Sequence, residues 1–267
     1  MSTLRTALVI IDPQNCFMDL PQAPLPVVGA AQDMERLAMF IRLRRAIIDK
    51  AFVSLDTHVP DHISHAVRWT DAEGNQPRPF TVITYEDCLA GTWRATNPAD
   101  QAWQTEYVRR LDRLHIIWPV HGQKPEWEWK LYEHLAAELN TNGRMQVSYI
   151  EKGMHRDVEQ FGMFGAEVPF PGAPETYIDH SLISEIDSYD RVIFAGEASS
   201  HCVMDSVKQF LVHMPSQDPT KVVLLRDCMS PVTSFEQQVT DWLNEMDAIG
   251  AQATNVYDFL SQFSDSQ

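Results

Sequence analysis

Short β-branched runs recur along the chain at 6–11, 51–55, 146–150, 191–195, 222–225 and 253–256. Longer segments with apolar residues three and four apart separate them, at 31–48, 126–139, 200–213 and 235–249. That alternation restricts the chain to an α/β fold, because parallel strands need a helical crossover between them. The expected fold class is a three-layer α/β fold with a mainly parallel sheet flanked by helices. In such sheets ligands gather outside the carboxyl ends of the strands. The residues at those ends therefore matter most.

Residues 59–124 interrupt the rhythm with several prolines and four of the seven tryptophans. They are expected to form a long excursion over the carboxyl edge, with one short helix at 98–110. At 267 residues the chain has the size of one large domain, and 1–267 is read as a single domain. The polar tail, 261–267, is expected to fray.

Charge narrows the partners. A net charge of −16 would be repelled by a nucleic-acid backbone or an anionic membrane surface, so neither is expected to bind. No apolar run has the length of a membrane span, and the start of the chain shows no signal-peptide pattern, so a cytoplasmic location is expected. Four widely spaced cysteines, with no C-x-x-C pair, indicate neither a disulfide framework nor a zinc ribbon.

The strand ends then deliver four kinds of chemistry to one edge. Asp12 ends the first run, Asp56 and His58 follow the second, and Lys152 follows the third. The turn Gly196-Glu197-Ala198-Ser199-Ser200-His201-Cys202 follows the fourth. An isolated cysteine is most often a small core residue. At a helix N-terminus, beside a lysine, it becomes a candidate thiolate nucleophile whose proton a carboxylate such as Asp12 could accept. Asp56-x-His58 places a carboxylate and an imidazole on one side of an extended segment, as metal binding requires. His121 returns from the excursion as a third ligand, with His62 as a candidate fourth or outer-sphere group. The ion would be Zn, Fe or Mn. His65, His115, His134, His155, His180 and His213 are read as surface or structural histidines.

These blocks together resemble the isochorismatase-like cysteine hydrolases, and within them the nicotinamidases. The resemblance rests on Ile11-Asp12-Pro13-Gln14-Asn15-Cys16-Phe17-Met18-Asp19, Asp56-Thr57-His58 with His62, Trp118-Pro119-Val120-His121, Lys152-Gly153, and Gly196-x-Ala198-x-x-His201-Cys202-Val203. It implies a six-stranded parallel sheet and a catalytic triad of Asp12, Lys152 and Cys202. It also implies an oxyanion hole from the backbone N–H groups of Ala198 and Cys202, a cis peptide at Glu197-Ala198, and aromatic substrate contacts from Phe17 and Trp118. Asp56, His58 and His121 match the metal ligands, and no nucleotide cofactor is implied. The implied reaction is hydrolysis of nicotinamide or a related aromatic carboxamide, a step of NAD salvage, in a protein expected to be a homo-oligomer.

Three positions depart from the pattern: Gly122 where cysteine is common, Glu197 where an aliphatic residue is usual, and Ser200 where aspartate is common. They leave open another amide, carbamoyl or ureido substrate, and a catalytically silent binding relative. Isochorismatase activity fits less well, because those members generally lack the cysteine.

Overall fold

The computed structural model describes residues 4–141 and 143–262. Among these residues ten strands form: β1 (Thr6–Ile11), β2 (Lys50–Asp56), β3 (Trp69–Thr70), β4 (Val82–Ile83), β5 (Arg94–Ala95), β6 (His115–Ile116), β7 (Gln146–Lys152), β8 (Arg191–Gly196), β9 (Val222–Leu225) and β10 (Gln252–Thr254). Eight α-helices accompany them: α1 (Ala30–Arg44), α2 (Tyr85–Ala90), α3 (Gln101–Arg110), α4 (Glu133–Leu139), α5 (His180–Asp187), α6 (Met204–His213), α7 (Glu236–Ala248) and α8 (Val256–Gln262).

Six strands make one parallel sheet in the order β10-β9-β8-β1-β2-β7. Its centre is apolar on both faces, as a sheet covered by helices requires: all six residues of β1 are buried. Leu8 and Ile10 face one core with α1 and α8, whereas Ala7, Val9 and Ile11 face the other with α6 and α7. The period of two along β1 thus divides its side chains between two helical layers. No helix among the described residues is long and apolar enough to cross a membrane.

The excursion is more ordered than its composition suggests. β3 pairs with β5 and β4 with β6, both antiparallel. With α2 and α3 they enclose a third apolar cluster around Ile63, Trp69, Ile83 and Tyr107, joined by Val158 and Val168 from the segment after β7. Trp69 is fully buried and donates its indole N–H to Ile63 O at 2.7 Å. The helix expected at 98–110 forms as a 3₁₀ turn, Pro98–Asp100, leading into α3.

Three expectations shift. The helix expected over 126–139 starts only at Glu133, because residues 127–132 bond to the loop after β1 instead. Lys130 O accepts from Asn15 N at 2.9 Å, and Tyr132 N donates to Pro13 O at 2.9 Å. Tertiary hydrogen bonds there outcompete helical periodicity. The last strand ends at Thr254, and Val256 already belongs to α8, which runs to Gln262. The frayed tail is therefore not seen at Ser261 or Gln262, and 263–267 lie outside the described residues.

Candidate active site

The site begins with the strand order. β8, β1, β2 and β7 are consecutive neighbours, so the residues that follow them meet at one carboxyl edge. Register sharpens the meeting: Ile11 pairs with Gly196 and Asp56 with Lys152. Gly196 is required, since its φ is +120° and a Cβ there would lie 2.1 Å from Ile11 O. Gly122 has a similar cause. Its φ is +68°, a Cβ would lie 2.9 Å from Asp56 O, and its carbonyl accepts from His58 N at 2.9 Å. The backbone approaches the Asp56–His58 segment too closely there for a cysteine side chain.

Lys152 is the hub. Its ammonium lies 3.0 Å from Asp12 Oδ2, 3.0 Å from Asp56 Oδ1 and 3.7 Å from Cys202 Sγ, and it also donates to Gln160 O at 2.9 Å. Asp12 is fully buried and adopts φ +43°, held there by Ser54. The Ser54 hydroxyl donates to Asp12 Oδ1 at 2.6 Å and accepts from Asp12 N at 3.0 Å. Burial pushes the Asp12 carboxyl upward despite the opposing charge of Lys152. Burial likewise raises the Cys202 thiol, outweighing Lys152, and the charges of Asp12 and Asp56 push it the same way. Burial would lower Lys152, yet Asp12 and Asp56 hold its ammonium well above the usual range. The ammonium thus sits between a carboxyl and a thiol that burial pushes upward. The helix expected from Ser200 opens as a π-helical turn, Ser199–Val203, before α6, and such turns often occur at functional sites. The Glu197–Ala198 peptide is cis, as the resemblance implies.

A cluster of imidazoles lies beside this hub. Asp56 Oδ2 is 3.2 Å from His121 Nε2, and Asp56 Oδ1 is 3.5 Å from His58 Nε2. His58, His65 and His121 each offer a ring nitrogen within 4.8 Å of the others. His62 stacks on His58 at 4.2 Å, but both its nitrogens are engaged, one with Ser64 Oγ at 2.7 Å and the other with Val158 O at 2.8 Å. His65 Nε2, by contrast, is buried without a hydrogen-bond partner, as are both nitrogens of His58. Burial lowers His65 to about 4, which leaves its ring neutral with a lone pair free. Ligands about 2.1 Å from one ion stand roughly 3.0–3.4 Å apart, close to the spacings around Asp56. The donor set fits a borderline divalent ion, with His65 joining Asp56, His58 and His121, while His62 belongs to a second group of ligand atoms with His58 and Glu159.

His65 escaped sequence reasoning because nothing in its spacing separates it from a structural histidine. The structure places it by backbone contact: His65 bridges Trp118, and Trp118 N donates to Ser64 O at 2.9 Å. Glu159 is a second unexpected residue. It is buried, its Oε1 lies 3.4 Å from His58 Nε2, and its Oε2 has no hydrogen-bond partner. Burial would raise its carboxyl, but the His62 and His58 rings hold it well below the ordinary range.

Cys202 and Ala198 open onto an apolar pocket walled by Phe17, Trp118, Phe161 and His201, with His58, His121 and Glu159 at its side. Phe17 meets His121 edge-on at 5.6 Å, and Trp118 meets His201 at 5.6 Å. Beyond the Trp118–Phe161–His201 wall lies an outer hollow of about 460 Å³, flanked by Arg113, Lys208 and Phe235.

No protein-family model and no curated protein matches the chain significantly. Solved structures do. A nicotinamidase/pyrazinamidase from Acinetobacter baumanii superposes with a TM-score of 0.66 at 17% identity, over 97% of this chain and 100% of that one. A pyrazinamidase of Pyrococcus horikoshii in complex with zinc gives 0.57 at 19% identity, over 94% and 99%. An N-carbamoylsarcosine amidase from Thermoplasma acidophilum gives 0.50 at 13%, over 95% and 97%. The chain thus has the three-layer α/β fold shared by nicotinamidases, pyrazinamidases and isochorismatase-like hydrolases.

Proposed function

We propose that the chain is a cysteine amidohydrolase of the nicotinamidase type, acting on a small aromatic carboxamide such as nicotinamide. One observation carries the reading. A single buried ammonium, Lys152, bridges Asp12 and Cys202, and Cys202 lines an aromatic-walled pocket. A buried charge of this kind is costly without a use, and perturbed groups concentrate at working sites.

Asp12, raised by burial, is a stronger base than an exposed carboxylate and takes the Cys202 proton. The thiolate attacks the carboxamide carbon as the C=O pair moves to oxygen, which the backbone N–H groups of Ala198 and Cys202 receive. The C–N bond breaks, the Asp12 proton goes to nitrogen, and ammonia leaves a thioester on Cys202. Water then adds to the thioester, giving one proton to Asp12. Collapse releases the acid, and Asp12 returns that proton to sulfur. Lys152 keeps the Asp12 and thiolate charges compatible throughout. Asp56, His58, His65 and His121 would hold a divalent ion, which when bound supplies a Lewis-acid anchor for a ring nitrogen. Phe17 and Trp118 flank the ring. In a cell, the nicotinate formed would re-enter pyridine-nucleotide synthesis.

Ammonia release from nicotinamide by metal-replete protein tests this reading. Turnover by the wild type and its loss in Cys202→Ala are expected; an inactive wild type overturns the substrate. The outer hollow and Glu159 favour a second reading, a longer amide, carbamoyl or ureido compound reaching past His201. Turnover of such compounds with none of nicotinamide would establish it.

A further inference from the structure

The turn that carries Ala198 and Cys202 starts with a carboxyl group that has no cation of its own. Glu197 is fully buried. Its Oε2 accepts from Ser230 N at 3.2 Å, its Oε1 is buried without a hydrogen-bond partner, and the carboxyl of Asp33 on α1 lies beside it. Asp33, also buried, accepts from the Ser230 hydroxyl at 2.5 Å and pairs through its other oxygen with Arg36. The charged groups around the pair are Arg36 on α1, Asp19 ahead of that helix and Asp227 after β9. The Cys228 thiol faces it from the same segment as Asp227. Arg36 serves Asp33 and the carbonyl of Asp227, so its charge is already committed. Two carboxylates in contact inside the protein repel strongly, and one proton between them converts that repulsion into a hydrogen bond. Burial, then the charge of Asp33, drive the Glu197 carboxyl upward, and its partnerless Oε1 has a place for the proton.

The pair sits where three walls of the pocket join. Gly196 N donates to Cys228 O at 2.9 Å, Ser199 N to Ser230 O at 2.8 Å, and Val232 N to Ser200 Oγ at 3.0 Å. The 228–232 strap is thus bonded along the turn, and its Val232 lines the pocket. Val27, just ahead of α1, lines it too. A Cβ on Gly29 would lie 2.9 Å from Ser230 Oγ, so α1 and the strap are in close contact.

We propose that Glu197 is a positioning residue held in its acid form, whose proton, donated to Asp33, clamps the Ala198–Cys202 turn to α1 and to the 228–232 strap. The clamp fixes the N–H groups of the turn relative to the sulfur. An aliphatic side chain in its place would fill the volume but leave Ser230 N without its acceptor. The role in catalysis rests on the amidohydrolase reading; the protonated clamp itself does not.

The test therefore joins two activity-independent readouts to a kinetic one, all on the full chain. Infrared difference spectra at neutral pH, wild type against Glu197→Gln, are expected to show a protonated-carboxyl band that the variant lacks. Absence of the band overturns the proposal. Amide hydrogen exchange across 197–202 is expected to accelerate about tenfold or more in Glu197→Ala and little in Glu197→Gln, whose amide can still donate to Asp33. Equal exchange in wild type and both variants overturns the clamp. With an active amide, Glu197→Ala is expected to lower kcat about 10- to 100-fold at unchanged KM, with Glu197→Gln restoring most of it. A loss confined to KM contradicts the positioning role. If wild type turns over no amide, the functional reading fails while the spectra and exchange still decide the clamp.

Discussion

The ammonium of Lys152 is the residue on which the site's electrostatics depend. Asp12 and Asp56 both lean on it, each at 3.0 Å, and all three are almost wholly buried. Lys152→Met would strand two buried carboxylates, so it should cost about 3–5 kcal/mol in chemical denaturation as well as turnover. Asp12→Asn keeps the shape but removes the base. It should lower kcat about 10³-fold or more while leaving the unfolding midpoint nearly unchanged, which stopped-flow and denaturation data would separate. Asp12, Lys152 and Cys202 were legible in the sequence because each stands just past a β-branched run, where a parallel sheet must gather its chemistry. His65 and Glu159 were not, because irregular backbone carries both and their neighbours come from distant parts of the chain. His65 supplies its own test. His65→Ala should weaken zinc or iron binding at least about tenfold by calorimetry, whereas His62→Ala, whose nitrogens already have partners, should weaken it less. Equal effects would contradict the donor set.

Among the elements, the β1–β8 edge sets the geometry. Ile11 and Gly196 are register partners, and Glu197 N donates to Ile11 O at 2.8 Å, so the nucleophile turn is fixed to the strand that ends in Asp12. Gly196→Ala would drive a methyl into that backbone at 2.1 Å with φ at +120°. The variant should lose several kcal/mol, on the order of a core overpacking plus a left-handed penalty, and a thermal melt within about 2 °C of wild type would contradict this. The four central strands, β9, β8, β1 and β2, were readable because apolar, β-branched composition and burial agree along them, whereas the edge strands β7 and β10 are only partly buried. The start of α4 was not, since residues 127–132 give their hydrogen bonds to the loop after β1. Nor were α2 and the short strands of the excursion, whose order comes from packing around Trp69 and Tyr107 rather than from local periodicity, nor α5, which sends Ile183 and Ile186 into the core shared with α6.

At the scale of the whole molecule, opposite shifts among buried carboxyls give stability a shape against pH. Asp56 is held below its ordinary value by His58 and Lys152 against the effect of burial. Its contribution is present above the unfolded value near 4 and is lost as acid protonates it in the folded protein. Glu197 is raised, so its contribution is complete below its unfolded value near 4.5 and declines as pH rises through the folded value. Wild type should therefore lose stability on the alkaline side relative to Glu197→Gln, and parallel curves for the two would contradict that assignment. Catalysis, however, turns on the sulfur of Cys202. Partitioning with hydroxylamine tests it most directly, because a thioester transfers its acyl group to the added nucleophile. During nicotinamide turnover, wild type should form the hydroxamate in rising proportion as hydroxylamine increases, and Cys202→Ala should form none. Release of ammonia with no hydroxamate, or undiminished turnover by Cys202→Ala, would contradict covalent catalysis at this cysteine.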